Sequence, residues 1–242
     1  LHCEQCEHLL IRDTLLNGGA QVAQEALKVN QSQHVYIENS DISGAWDNAI
    51  DFVGVQYGHV INSRIHNAGD WCHYLKGGSA YFRVEGNEYF NCGVGGFTAG
   101  QGTGFQFMTP PWLHYEAYDI RFINNIVHDV EGAAIGVNGG FNVLFAHNTF
   151  YRVGTRSHLF EAVAGLRSCD GQPGDAGRER CQQYLDLGGW GTTVVDDGTN
   201  QVLIPNQNVL VLNNIFYNPA GTRSAWQHLQ IFGALATQAG SN

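Results

Sequence analysis

Lysine is almost missing from this chain. Among 12 basic residues in 242, only Lys28 and Lys76 are lysines. Charged residues make up 14%, against about 25% in an ordinary domain. Helical surfaces draw heavily on lysine and glutamate, so this scarcity argues against a helical protein. Apolar residues do not recur at a 3.6 period over any long window, which argues the same way. A positive surplus is also missing. The formal charge is -10, and a sequence-independent nucleic-acid binder needs a basic face to meet phosphates. No apolar run reaches the 18 or more residues that a membrane-spanning helix requires.

The chain is rich in glycine (31) and in aromatic residues, 12% of the total. A disordered segment would not carry so many aromatics. The composition predicts a β-rich, turn-rich protein, long enough to form one domain over residues 1–242 around a sizeable core. Six cysteines suit an exported protein with some disulfides, secreted or periplasmic. Cys169 and Cys181 share one polar loop and are spaced for a short bridge. The stretch His2-Cys3-Glu4-Gln5-Cys6-Glu7-His8 reads as half a metal site. No second CxxC accompanies it, so a closed four-ligand zinc site is not expected, and a terminal disulfide or free thiols are. The start at Leu1 rather than Met fits a removed leader, and entry in mid-coil near Leu9 fits a piece of a longer protein.

Self-similarity decides the fold. Segments reading apolar, x, small or polar, Asn/Ser/Asp, x, apolar recur with their fourth positions at Asp13, Ser40, Ser63, Asn87, Asn125, Asn148 and Asn214. Four of the spacings lie between 23 and 27 residues, and two are longer by an insertion. This is the signature of a β-solenoid of about seven coils, since one coil cannot bury its own apolar face. Asparagine at such a turn accepts left-handed backbone angles and can hydrogen-bond its counterpart one coil away. One short stretch, Val22 to Leu27, reads as helix-like.

A second strand recurs, ending at Gly54, Gly77, Gly100, Gly139 and Gly165 when aligned on its closing small residues. Two insertions, 101–118 and 166–206, leave after this strand from different coils. With a bare coil between them they are expected to wall a groove, as long loops often carry function.

The candidate chemistry sits on or beside this strand. Asp47 and Asp70 are one coil apart and should stack about 4.8 Å from each other, with Asp51 further along. Such carboxylates must share a proton or bind a cation, so they are candidates for Ca²⁺ ligands or for an acid/base pair. Lys76 shares an outward face with Tyr74 and can act as a base if desolvation lowers its pKa. Arg83 is placed to neutralise a substrate carboxylate. His73, Trp112, His114, Tyr115, Glu116 and Arg167 are expected to contact a sugar. On later coils Glu131, Asn138, Arg156, His158 and Glu161 are unranked candidates to line the groove.

The coil pattern, from about Leu9 to Pro219, resembles the right-handed parallel β-helix of the pectin-lyase-like superfamily. Asp47-Asn48-Ala49-Ile50-Asp51 followed by Gly69-Asp70-Trp71-Cys72 is similar to the polygalacturonase pattern, with Trp71 in place of a second Asp. Gly95-Gly96-Phe97 stands where that pattern has Gly-His-Gly, and no Arg-Ile-Lys follows. The resemblance implies an all-β, right-handed parallel β-helix acting on a polysaccharide. It also implies a lyase assignment in which Lys76 is the base and Asp47, Asp51 and Asp70 hold Ca²⁺. A glycoside hydrolase with paired carboxylates and a non-catalytic glycan-binding solenoid remain alternatives, because one fold hosts all three.

Overall fold

The structure is a computed structural model that describes residues 1–20, 22–168, 202–226 and 229–231, together with positions 179, 183, 194 and 195. The chain winds as a parallel β-solenoid whose three long sheets have eight, seven and seven strands. A typical coil runs through Ile50–Val53 in the first sheet, Gln56–Ile61 in the second and Arg64–Ala68 in the third, then begins again at Trp71–Lys76. Consecutive coils pair in parallel register, with Asp51 beside Tyr74 and Phe52 beside Leu75.

Side chains alternate inward and outward along each strand. The inward column of the first sheet is Leu27, Ile50, His73, Phe97, Ile135 and Phe160. The third sheet supplies Ile42, Ile65, Tyr89, Val127 and Phe150, all fully buried. Aromatic rings stack within a coil, as Phe97 on Phe122 at 4.6 Å, and between coils, as Phe150 on Phe216 at 4.4 Å. Val22 to Leu27 forms no helix: turns and bends lead into the strand Leu27–Asn30, because Leu27 belongs to the inward column.

The turn between the second and third sheets divides its two tasks between neighbouring residues. The left-handed angle falls on the third position of the repeat, at Asn39, Asn62, Asn124 and Asn213, with Gly86 in the same place. The fourth position builds the ladder. Ser63 N–H donates to Asn87 Oδ1 at 2.9 Å, Asn87 N–H to Asn125 Oδ1 at 2.9 Å, Asn125 N–H to Asn148 Oδ1 at 2.8 Å, and Asn148 N–H to Asn214 Oδ1 at 2.9 Å. In the first coil Thr14, not Asp13, takes the ladder position, and its N–H donates to Ser40 Oγ. Asp13 instead takes the left-handed place, with φ of 50°. The register Ile11 to Ile37 sets this: Ile11 is buried while Leu10 is exposed.

The alignment on closing glycines also shifts by one residue at Gly100. Leu75 pairs with Ala99 and Gly100 with Asn138, so Gly100 stands opposite Lys76 rather than Gly77. Gly100 is needed for clearance instead. A Cβ there would lie 2.7 Å from the Glu116 Cβ and 2.0 Å from the Asn138 carbonyl oxygen.

Disulfides join Cys3 to Cys6 and Cys72 to Cys92. The expected bridge between Cys169 and Cys181 lies outside the described residues. Among those residues, no helix is long and apolar enough to cross a membrane.

His73 is wholly buried in the inward column, its Nδ1 3.2 Å from the Tyr89 hydroxyl. Burial pushes its pKa down to about 3. In the unfolded chain the imidazole would bind a proton below about pH 6.5. Between those values the unfolded state holds more protons, so stability falls as pH falls. At 1.36 kcal/mol per pKa unit the loss from this group approaches about 5 kcal/mol. His73→Leu is expected to flatten that part of the stability–pH curve, and equal slopes in both proteins would refute the assignment. Asn125→Ala removes an acceptor from the buried Asn87 N–H. It is expected to cost about 2–3 kcal/mol in chemical denaturation.

Candidate functional site

The outward face of the first sheet forms a cleft of about 460 Å³ where the early coils meet the first insertion. Its floor comes from three successive coils in register: Lys28, Asp51 and Tyr74 lie side by side. Asp47, Asp70 and Lys76 complete the floor, and Gln101 to Gly104 with Phe107 form one wall. Both lysines of the chain therefore occupy one cleft.

Asp51 is 1% exposed and takes Lys28 Nζ on Oδ2 at 2.6 Å. Lys28 also donates to Glu25 Oε1 at 3.3 Å. Burial works against the Lys28 charge, but Asp51 and Glu25 outweigh it and raise its pKa. Burial raises the Glu25 carboxyl, with Lys28 opposing. Lys76 differs: burial lowers its pKa, with Asp51 opposing and Lys28 adding to the fall. Its ammonium lies 4.3 Å from the centre of the Tyr74 ring and donates to Gln101 Oε1 at 3.1 Å. Tyr74 is itself buried, which holds its phenol protonated, and the Asp51 charge adds to the effect. Asp70 is raised to about 6 by burial first, then by the charge and hydrogen bond of Asp47. The cleft thus holds a desolvated amine beside a carboxyl that keeps its proton unusually high, a pairing suited to proton abstraction and donation.

The first insertion is anchored rather than hung. Ala117–Ile123 is a strand of the second sheet, so the insertion ends at residue 116 rather than 118. Glu116 is fully buried, where its Oε2 accepts from Gly77 N–H at 2.8 Å and from Thr103 Oγ1 at 2.7 Å. Gln31 Nε2 reaches the Gln106 carbonyl at 3.4 Å, which ties the insertion back over the early coils. The two insertions do not stand apart as walls. Gly102–Gly104 pairs in parallel with Gly165–Ser168, and Val202–Ile204 adds to the far edge. Exposed strand edges favour such pairing. The early coils supply the rest of the cleft lining, with Gln24, Glu25, Lys28 and Asn30.

Of the residues predicted from sequence, Asp47, Asp51, Asp70, Tyr74 and Lys76 come together here. The others do not. His73 alternates inward into the core. Arg83 lies on the second sheet, exposed and paired with Glu85. Trp112 packs edge-on against Tyr57 and Tyr81. Tyr115 stacks on Phe141 and donates to Gln207, its ring 4.5 Å from that of His114. Tyr118, whose hydroxyl accepts the backbone N–H groups of His114 and Tyr115, holds that corner. Glu116 serves as the anchor just described. Asn138 lies two coils beyond Lys76 and accepts from Thr98 Oγ1. His158 pairs with Glu161, which lies three register steps from Tyr74, about 14 Å at the usual strand spacing. Glu131 and Arg156 pair with each other and line a separate groove. The Arg167 side chain lies outside the described residues. Lys28, Glu25 and Gln101 were not singled out in the sequence. For Lys28 a signal existed, since it precedes Asp51 by one 23-residue coil.

The fit to Ca²⁺ is poor. Asp47, Asp51 and Asp70 do not bring an oxygen each within 4.8 Å of one another, as Glu7, His8 and His34 do with their ligand atoms. Lys28 already occupies one Asp51 oxygen, and a second ammonium borders the cleft. Lys28 balances Asp51, and Asp70 holds its proton to about pH 6.

If Lys28 balances the buried Asp51, removing it leaves an uncompensated charge. Lys28→Met is expected to destabilise by about 2–3 kcal/mol, and adding Asp51→Asn should recover much of that loss. Chemical denaturation of the three variants measures it; an unchanged single variant would refute the pairing.

The sequence pattern of right-handed β-helix regions matches residues 1–163. Among solved structures, the chain is similar to an alginate lyase from Paenibacillus sp. str. FPU-7, at 11% identity and a TM-score of 0.41, over 90% of this chain and 80% of that one. Among curated proteins there is no match. With two thirds of its length matched and parallel coils throughout the three long sheets, the chain belongs to the right-handed β-helix family.

Proposed function

We propose that this protein is a carbohydrate-active enzyme, a polysaccharide lyase that cleaves an acidic, uronate-containing glycan by β-elimination. The observation that carries the reading is the gathering of both lysines in one cleft, with Lys76 desolvated and its pKa lowered. Lys76 Nζ takes the proton α to the uronate carboxylate. The C–H electron pair forms the double bond and the glycosidic oxygen leaves. Asp70, whose proton is retained to about pH 6, donates to that oxygen. Lys28 supplies the positive charge that a developing enolate requires, the part first assigned to Arg83 or Ca²⁺. Glu25 and Asp51 keep Lys28 protonated. The two disulfides support an oxidising, extracytoplasmic location.

A second reading rests on Asp70 alone. A carboxyl with a raised pKa in a cleft with other carboxyl groups also suits the acid of a glycoside hydrolase.

Absorbance near 235 nm, followed over a panel of acidic glycans, separates the readings. A rise that Lys76→Ala reduces by at least about 100-fold is the expected result. New reducing ends without absorbance would replace elimination by hydrolysis. Neither signal on any glycan would leave a binding solenoid.

A further inference from the structure

The stretch His2 to His8 looked like half a metal site in the sequence, and the next coil supplies its other half. The Cys3–Cys6 disulfide removes both thiols as ligands. His8 and His34 stand at equivalent places in adjacent coils, and Glu7 precedes the first of them. Each of the three brings one ligand atom within 4.8 Å of the other two, and among the described residues they are the one such group. The His8 and His34 rings stack at 4.7 Å, 6° from parallel. His8 Nε2 lies 3.9 Å from Glu7 Oε1.

We propose that Glu7, His8 and His34 form a surface site for a divalent transition metal of the zinc and copper class. This site is separate from the lysine cleft and independent of the lyase reading. Two imidazoles and a carboxylate are the ligand types that such ions favour, and three protein ligands leave a position open for water or a further ligand. The ligand atoms are already gathered. Parallel stacking sets the ring lone pairs side by side, so closure needs a rotation of the His8 ring, which is free to turn because its side chain is 68% exposed. His34 is the fixed member. It is half-buried, stacked on Tyr57 at 5.4 Å from its other side, and its Nδ1 lies 3.4 Å from the Tyr36 hydroxyl. A hydrogen-bonding partner of that kind orients a ligating imidazole and leaves its other nitrogen for the metal. The backbone contributes too. Both histidines have left-handed angles, φ 61° and 56°, which aim the two side chains from the same point of successive coils.

The test is titration of the intact chain with Zn²⁺ and Cu²⁺ by calorimetry, with Ca²⁺ and Mg²⁺ as controls. Variants are His8→Asn and His34→Asn, since asparagine accepts the left-handed backbone. The expected result is about one equivalent bound, Cu²⁺ more tightly than Zn²⁺, with no heat from Ca²⁺ or Mg²⁺. Each variant should weaken binding at least tenfold while its circular dichroism and melting midpoint without metal stay near wild type. A wild-type chain that binds neither transition metal at 100 µM, roughly the weakest affinity such a site would merit, overturns the proposal. So does unchanged affinity in both variants, or equal binding of Ca²⁺, which would indicate charge attraction without coordination.

Discussion

Lateral pairing of one coil on the next is the constraint on which the rest depends. Every strand of the three long sheets hydrogen-bonds to its counterparts one coil away, so a side chain's surroundings are set by residues about 23 positions distant. The side-chain alternation has period two, so a one-residue slip would exchange core and surface along a whole strand. The asparagine ladder opposes such a slip. Each buried amide accepts a backbone N–H from the coil before it, and from Asn87 to Asn148 each also donates to its neighbour, in a place where an unmade bond is costly. Left-handed residues immediately before the ladder turn the chain at the same point in coil after coil.

Fixed register converts sequence spacing into chemistry. Side chains at equivalent positions are held about one strand spacing apart whether or not their charges agree. At the entry to the first sheet this sets Asp47 against Asp70, and burial, joined by the charge of Asp47, makes the carboxyl of Asp70 hold its proton to about pH 6. Four residues further along, it sets Lys28 beside Asp51, which cancels a charge that could not be buried alone. Among the described residues Lys76 receives no such carboxylate partner. It rests on the Tyr74 ring and an uncharged glutamine, and burial therefore lowers its pKa while Lys28's rises.

The repeat made the coils legible because apolar and turn positions recur at a near-constant period. It also made the Asp51–Tyr74 and Asp47–Asp70 neighbours legible, since no insertion separates those coils. Legibility failed where a residue type served an unexpected purpose. Gly100 looked like a strand-closing glycine but gives Glu116 room, and the alignment slipped by one position as a result. His73 looked like a surface ligand because of its neighbours Tyr74 and Lys76. Its parity with Ile50 and Phe97 shows it to be a core residue. The aromatics of the first insertion suggested a sugar platform, whereas Trp112 and Tyr115 spend their rings on packing. Nothing local in the sequence distinguishes those uses, for they depend on which way an insertion folds back.

Lys28 shows how far register alone could have gone. Lys28, Asp51 and Tyr74 are separated by 23 and 23 residues, so one column contains a cation, an anion and a phenol. Lys76 lies two residues beyond Tyr74 and therefore points to the same side. In a chain with two lysines, their convergence on one face follows from the period without reference to any relative. What the period does not supply is the wall. Gln101 reaches Lys76 because Glu116, buried beneath the insertion, accepts the Gly77 N–H and the Thr103 hydroxyl together. A carboxylate buried under the loop thus helps to decide how much water reaches the amine, and so how far its pKa falls.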